Sequence, residues 1–217
     1  YFKAVNTNPD YDRAYFYIAN IYDEFGDKNK AIEYYRKVIE LVPGDYIAYN
    51  NLGSIFEEIN DYSNAYNMVK KSIDINPNYY KALFNMGVIL KKLKNINEAI
   101  EYYNRSIKEN NNYPYSYLNK SVIYIERGEI VEAVKVLTEG IRYNPYAEYL
   151  YYNRACCYVK LEQFDEAFCD LRKAILLYPE FIDIIKEDDD LKILQDDERF
   201  LKLINKLEKN KHKKELW

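Results

Sequence analysis

Residues 46–79 read YIAYNNLGSIFEEINDYSNAYNMVKKSIDINPNY, and Pro77 near their end belongs to a comb that runs through the whole chain. Pro9, Pro43, Pro77, Pro145 and Pro179 are spaced by 34, 34, 68 and 34 residues. The missing tooth is Asn111, inside the run Asn110-Asn111-Asn112, which is turn chemistry of another kind. A period of this length outranks every local signal, because a short unit that cannot bury its apolar face alone must stack on its neighbours. With each comb residue at repeat position 32, the chain divides into repeats at 12–45, 46–79, 80–113, 114–147 and 148–181.

Other positions fall into register. Position 20 is Ala31, Ala65, Ala99, Ala133 and Ala167, without exception. Position 8 is Ala19, Gly53, Gly87, Ser121 and Ala155, and position 27 is Val38, Ser72, Ser106, Gly140 and Ala174. Recurrent small side chains let two helix backbones approach closely, which leaves room for the large residues at position 11, Tyr22, Phe56, Leu90, Tyr124 and Tyr158. Within each repeat a first helix is expected to stop at Gly26, Asn60, Lys94, Gly128 or Glu162, where Gly and Asn tolerate the left-handed conformation that closes a helix. Asp27, Asp61 and Asn95 follow as N-caps of a second helix, and Asn95 with Glu98 has capping-box spacing. Proline then ends the second helix. Strand alternation of useful length is not found, so the fold class is all-α.

These are the signature positions of the tetratricopeptide repeat, and residues 12–181 closely resemble that family, with Tyr15, Tyr49, Tyr117 and Tyr151 where the family often has Trp. The resemblance implies a right-handed superhelical solenoid of antiparallel helix pairs. Repeat 4 departs from the pattern at Lys120, where Leu is usual, and at Gly140, which is expected to loosen its second helix. Residues 1–11 read as the second half of a preceding repeat, with Tyr1, Ala4 and Pro9 in register. Tyr1, Phe2 and Val5 are then expected to pack on a helix upstream, as in a chain truncated at its N-terminus. Residues 182–217 read as an acidic turn, Glu187 to Asp190, then an amphipathic capping helix built on Phe200, Leu203, Ile204 and Leu207, and a basic tail from Lys206 to Lys214. Residues 148–205 resemble the end-of-group module that closes many bacterial tetratricopeptide proteins.

Composition narrows the function. A formal charge of -4 with both signs interspersed lacks the basic face that nucleic acid requires, so no nucleic-acid partner is expected. No apolar run reaches the roughly 18 residues of a membrane span. Cys156, Cys157 and Cys169 show neither a disulfide framework nor zinc spacing, which suits a reducing, cytoplasmic setting. The single histidine, His212, lies in the lysine-rich tail, so no histidine triad can be assembled, and no glycine-rich phosphate loop occurs. The expectation is a non-enzymatic protein without cofactor or metal.

Positions 2, 5, 6, 9, 12 and 13 of each first helix share a face, since a helix advances about 100° per residue. In the tetratricopeptide family that face lines the concave groove. Position 6 is Asn51, Asn85, Asn119 and Asn153 in four consecutive repeats, with Tyr17 in the first. A carboxamide carries donor and acceptor and can pair with the N–H and C=O of one peptide unit whatever its side chain. A similar asparagine ladder holds peptide main chain in the tetratricopeptide superhelix of O-GlcNAc transferase, and the likeness extends to these four residues alone. Inheritance through repeat duplication and an asparagine-rich composition are the competing explanations of the pattern. Phe16, Phe84 and Tyr152 at position 5 and Tyr115 and Tyr149 at position 2 add aromatic surface. Asp23, Glu24, Glu57 and Glu58 make the first two repeats acidic, and Lys81, Lys91 and Lys92 make the third basic.

Some tetratricopeptide co-chaperones clamp a C-terminal carboxylate with lysine, asparagine and arginine. Asn20, Asn51 and Lys81 match three of those places, but Phe16 and Asn85 stand where two cations belong, which removes most of the charge-assisted bonding. The function expected from the sequence is therefore a protein-interaction module that holds an extended peptide. Self-association through exposed repeat ends and a recruiting arm of a larger protein are the alternatives.

Overall fold

The computed structural model describes residues 1–202. Among them the regular structure is helical: α1 (Phe2–Thr7), α2 (Asp12–Glu24), α3 (Lys28–Leu41), α4 (Tyr46–Glu58), α5 (Tyr62–Ile75), α6 (Tyr80–Lys92), α7 (Ile96–Glu109), α8 (Pro114–Glu126), α9 (Ile130–Tyr143), α10 (Glu148–Lys160), α11 (Phe164–Leu177) and α12 (Phe181–Glu187), then a 3-10 turn, Asp189–Leu194. The all-α expectation holds. The chain forms two compact units, Tyr1–Asn110 and Asn111 onward. Their boundary falls where the proline comb lacks its proline.

In each repeat the first helix ends on a residue in the left-handed region: Gly26 (φ 80°), Asn60 (63°), Lys94 (66°), Gly128 (75°) and Glu162 (59°). The amide that follows turns back onto the position 11 carbonyl, as from Asp27 to Tyr22 (2.9 Å) and from Asp61 to Phe56 (2.8 Å). This bond satisfies a carbonyl that the helix end would otherwise strand. The second helix then starts under a side-chain cap where the residue is aspartate: Asp27 accepts from the Lys30 amide and Asp61 from the Asn64 amide, both at 3.2 Å. Asn95 sits at the N-cap of α7 but makes no side-chain cap bond, so the capping box read from its spacing with Glu98 does not form. A carboxylate accepts whichever way it turns, whereas a carboxamide must present its oxygen. A cap not expected from the sequence is Asp45, which accepts from the amides of Ile47 (3.0 Å) and Ala48 (2.9 Å) at the start of α4.

In unit 1, α2 pairs with α3, α4 with α5 and α6 with α7, and α4 also meets α6. Ala31, Ala65 and Ala99 are wholly buried. A Cβ on Gly53 would stand 2.5 Å from Val69 Cγ2, and one on Gly87 would stand 2.6 Å from Tyr103 Cε1, so glycine admits the large residue of the paired helix. The position 27 serines do more than stay small. Ser72 donates to the Tyr46 carbonyl (2.7 Å) and Ser106 to the Tyr80 carbonyl (2.9 Å), tying each second helix to the start of its first. At the N-terminus Tyr1 stacks on Tyr17 with centroids 5.0 Å apart, and Phe2 sets its edge toward Tyr22 and Tyr34. These rings thus find partners on α2 and α3, while staying more than half exposed (58% and 53%).

In unit 2, α8 pairs with α9 and α10 with α11, and α10 also meets α8 and α9. Gly140 also has a packing role: a Cβ there would come within 2.9 Å of Tyr117 Cβ and Cγ, so the glycine is the socket that lets Tyr117 be fully buried, and α9 runs unbroken through it. After α11, the residues Phe181, Ile182, Ile185, Leu191, Leu194 and Phe200 close one cluster with Ala155, Val159 and Leu171. Leu203, Ile204, Leu207 and the lysine tail with His212 lie outside the described residues. Among the described residues no helix is long and apolar enough to cross a membrane.

Candidate functional site

The face read from the sequence holds a continuous hydrogen-bonded relay in unit 1. Asn85 Nδ2 donates to Asn50 Oδ1 (3.0 Å), Asn50 Nδ2 donates to Asn51 Oδ1 (3.2 Å), and Asn51 Nδ2 donates to the Tyr35 hydroxyl (3.0 Å). The Tyr35 hydroxyl in turn donates to Asn20 Oδ1. Tyr35 is 1% exposed and Asn50 3%, so the relay has a buried spine with half-buried Asn20, Asn51 and Asn85 along it. Burial pushes the Tyr35 phenol up to about 12 and keeps it protonated as a donor. Such a network fixes the rotamers of its members, because every bond lost inside the protein leaves a costly unpaired group.

The relay residues Asn20, Tyr35, Asn50 and Asn51, with Asp23, Glu24 and Ser54, line a recess of about 220 Å³. Asp23 Oδ1 accepts from Lys28 Nζ at 2.7 Å, and the same ammonium reaches Glu58 Oε2 at 2.5 Å. Both bonds raise the pKa of Lys28. Phe16 sets its edge against the Tyr35 ring (5.6 Å), and Tyr17 is 46% exposed beneath Tyr1. Phe84 leans on Tyr103 (5.8 Å), and Lys81 is exposed in the first turn of α6.

In unit 2 the asparagines behave differently. Asn119 Nδ2 donates to the Tyr115 carbonyl (3.0 Å) and Asn153 Nδ2 to the Tyr149 carbonyl (2.7 Å), each one turn back on its own helix. Tyr115 stacks on Tyr149 with centroids 5.6 Å apart, and Tyr115 is 47% exposed. Tyr152 packs on Phe181 (5.2 Å) and donates to Asp188 Oδ2. Asp188, in the acidic turn, also caps the 3-10 turn by accepting from the Asp190 amide. Behind this face Arg154 makes a two-bond fork to Asp170 (2.7 and 2.8 Å) and a third bond to Thr138 Oγ1 (2.9 Å).

Cys156, Cys157 and Cys169 are free thiols; the first two are buried, and burial raises both, Cys157 to about 11, so neither is a ready nucleophile. Among the described residues no group of three or more His, Cys, Asp or Glu side chains is placed to hold a metal ion.

Tyr35 and Asn50 are the relay members that sequence reasoning missed. Asn50 stands at position 5, where three other repeats carry aromatic rings, and Tyr35 stands at position 24, filled elsewhere by Val69, Tyr103, Leu137 and Leu171. The available signal was a buried tyrosine facing polar residues, since a buried hydroxyl needs a partner.

Helix pairs recurring every 34 residues, each closed by a left-handed stop, define a helical-repeat protein. Tetratricopeptide-repeat families match residues 12–45 and 80–113 in one form and residues 46–79 and 149–181 in another, together more than half of the chain. The chain belongs to the tetratricopeptide-repeat family. Among curated proteins none matches it. Among solved structures it is similar to YrrB, a TPR protein with an unusual peptide-binding site, at 23% identity and a TM-score of 0.59 over 82% of this chain and 92% of that one. It is also similar to Pseudomonas aeruginosa pilF, at 19% identity and a TM-score of 0.69 over 89% and 85% of the two chains. A chain of the APC/C hetero-tetramer Cut9-Hcn1 matches at 17% identity and a TM-score of 0.73, with 89% of this chain and 38% of that one covered. At these identities the likeness establishes the tetratricopeptide solenoid fold and nothing further.

Proposed function

We propose that this protein is a protein-interaction module that holds an extended segment of another polypeptide against its asparagine-bearing face. The observation that carries the proposal is the unit 1 relay, which locks Asn20, Asn51 and Asn85 into fixed orientations before any ligand arrives. Preorganised amides bind main chain without the entropic cost of ordering free side chains. Among the described residues, Asn85 Oδ1 accepts no bond, and each bonded carboxamide keeps a second N–H for an outside acceptor. Asn119 and Asn153 serve the same chemistry in unit 2, with Tyr115 and Tyr149 as the aromatic surface beside them. Phe16, Tyr17, Phe84, Lys81 and Tyr152 complete the set of contact residues. Membership of a family of interaction modules supports the reading, and YrrB shows that a protein of this fold has a peptide-binding site.

The test is a peptide-array screen with wild type and with an Asn51→Ala, Asn85→Ala variant. Each lost amide contact costs about 0.5–1.5 kcal/mol, so the pair weakens a captured peptide roughly tenfold or more. Peptides that bind the variant as well as the wild type, at unchanged helical content, would place the binding surface elsewhere. Light scattering over a concentration series checks self-association, and a single mass throughout is the expected result.

A further inference from the structure

We propose that the unit 1 recess lined by Asn20, Asp23, Glu24, Tyr35, Asn51 and Ser54 receives one basic side chain, lysine or arginine, of the bound polypeptide. This rests on the peptide-binding reading above and adds which residue the peptide must carry at that point.

Size is the first argument. At about 220 Å³ the recess lies below the roughly 300–1,000 Å³ of pockets that take a small molecule whole, and it suits a single side chain. Charge is the second. No lysine or arginine lines the recess, while two carboxylates do. The nearby cation, Lys28, is divided between Asp23 and Glu58, and Glu24 has no ion pair among the described residues. Negative charge is left in excess at a half-enclosed site, where field lines concentrate and a cation is drawn in. An anionic group, such as a terminal carboxylate, would meet repulsion from Glu24 and Asp23 instead.

Polarity of the lining is the third argument. The lining includes Tyr35, whose hydroxyl is held by Asn20 and Asn51, and the hydroxyl residue Ser54. An ammonium or guanidinium is all donor and needs several acceptors at once; the two carboxylates and the hydroxyl oxygens supply them. Because the relay fixes Tyr35, Asn20 and Asn51 in the lining, the site requires little reorganisation on binding.

The experiment uses an array of random decapeptides probed with the wild-type chain, with an Asp23→Asn, Glu24→Gln variant, and with Glu24→Gln alone, which disturbs no intramolecular ion pair. Captured peptides are remade with each lysine and arginine changed in turn to glutamine and titrated. The expected result is one basic residue whose change weakens wild-type binding about tenfold, but hardly matters to the variants. Exchange of lysine for arginine at that place decides between the two cations. Captured peptides with no such residue, or with one equally important to wild type and both variants, would overturn the recess and leave the peptide-binding reading standing. An array that captures nothing would overturn both.

Discussion

Gly140 of α9 lies so close to Tyr117 of α8 that a Cβ on the glycine would stand 2.9 Å from both Tyr117 Cβ and Cγ, and 3.2 Å from Leu150 Cδ1. Two effects of a Gly140→Ala change oppose each other. Helix propensity favours alanine by about 1 kcal/mol. Overpacking costs about 1–3 kcal/mol, and here the clash is with the root of a buried ring, which cannot swing aside as a flexible tip would. Packing wins. Gly140→Ala is expected to lose up to about 2 kcal/mol in urea denaturation, and a more stable variant would show that the two helices can part.

Lys94 and Glu162 occupy left-handed backbone at φ 66° and 59°, where Gly26 and Gly128 do the same work in other repeats. A side chain in that region costs about 1–2 kcal/mol, which glycine avoids while giving up some chain entropy on folding. Lys94→Gly and Glu162→Gly should each therefore stabilise by about 0.5–1 kcal/mol, measurable by thermal or urea unfolding.

Tyr35→Phe keeps the ring packed on Phe16 but deletes the hydroxyl that joins Asn51 to Asn20. The two amides are left short of a partner, at a cost of about 1–3 kcal/mol in stability. The change also alters the alkaline limb. The folded phenol is raised to about 12 by burial, whereas an unfolded tyrosine ionises near the usual 10.0. Between those values the folded state holds a proton that the unfolded state has released, so wild-type stability falls as pH rises from about 10 to 12. Tyr35→Phe should flatten that fall; an unchanged slope would mean that Tyr35 ionises freely.

Buried Asp170 and partly buried Arg154 form an ion pair with side chains 5% and 15% exposed. Arg154→Leu strands the carboxylate and should cost about 3–5 kcal/mol near neutral pH, while the Arg154→Leu, Asp170→Leu double variant recovers most of it. Burial already raises the pKa of Asp170 against the opposing pull of Arg154. With the guanidinium gone the folded pKa rises further above the unfolded one. The folded state then binds the extra proton, so the single variant gains stability as pH is lowered into that window. Denaturation curves across acidic pH give the sign directly.

What recurred every 34 residues was legible without coordinates. Left-handed stops and wholly buried alanines repeat because each repeat solves one backbone problem in the same way. What was not periodic was hidden. Asn50 breaks the aromatic habit of its position, and its role exists only because Asn85 of the next repeat reaches it. Gly140 read as a weak helix residue because helix propensity is local and the bulk of Tyr117 is not. The bond from Tyr152 to Asp188 was equally hidden, because Asp188 lies past the last tooth of the comb where the repeat pattern gives no guidance.

The relay is also one-way. Every donor in it points toward the first repeat, from Asn85 through Asn50, Asn51 and Tyr35 to Asn20. Successive hydrogen bonds aligned head to tail polarise one another, so the two ends differ in character. At the Asn20 end the unspent groups are amide hydrogens made more acidic by the chain; at the Asn85 end the unspent group is an oxygen made more electron-rich. A polypeptide is itself directional, and the two threading senses would offer its carbonyls and amides to these ends in opposite order. Parallel and reversed versions of one peptide should then not be equivalent ligands, even with identical side chains.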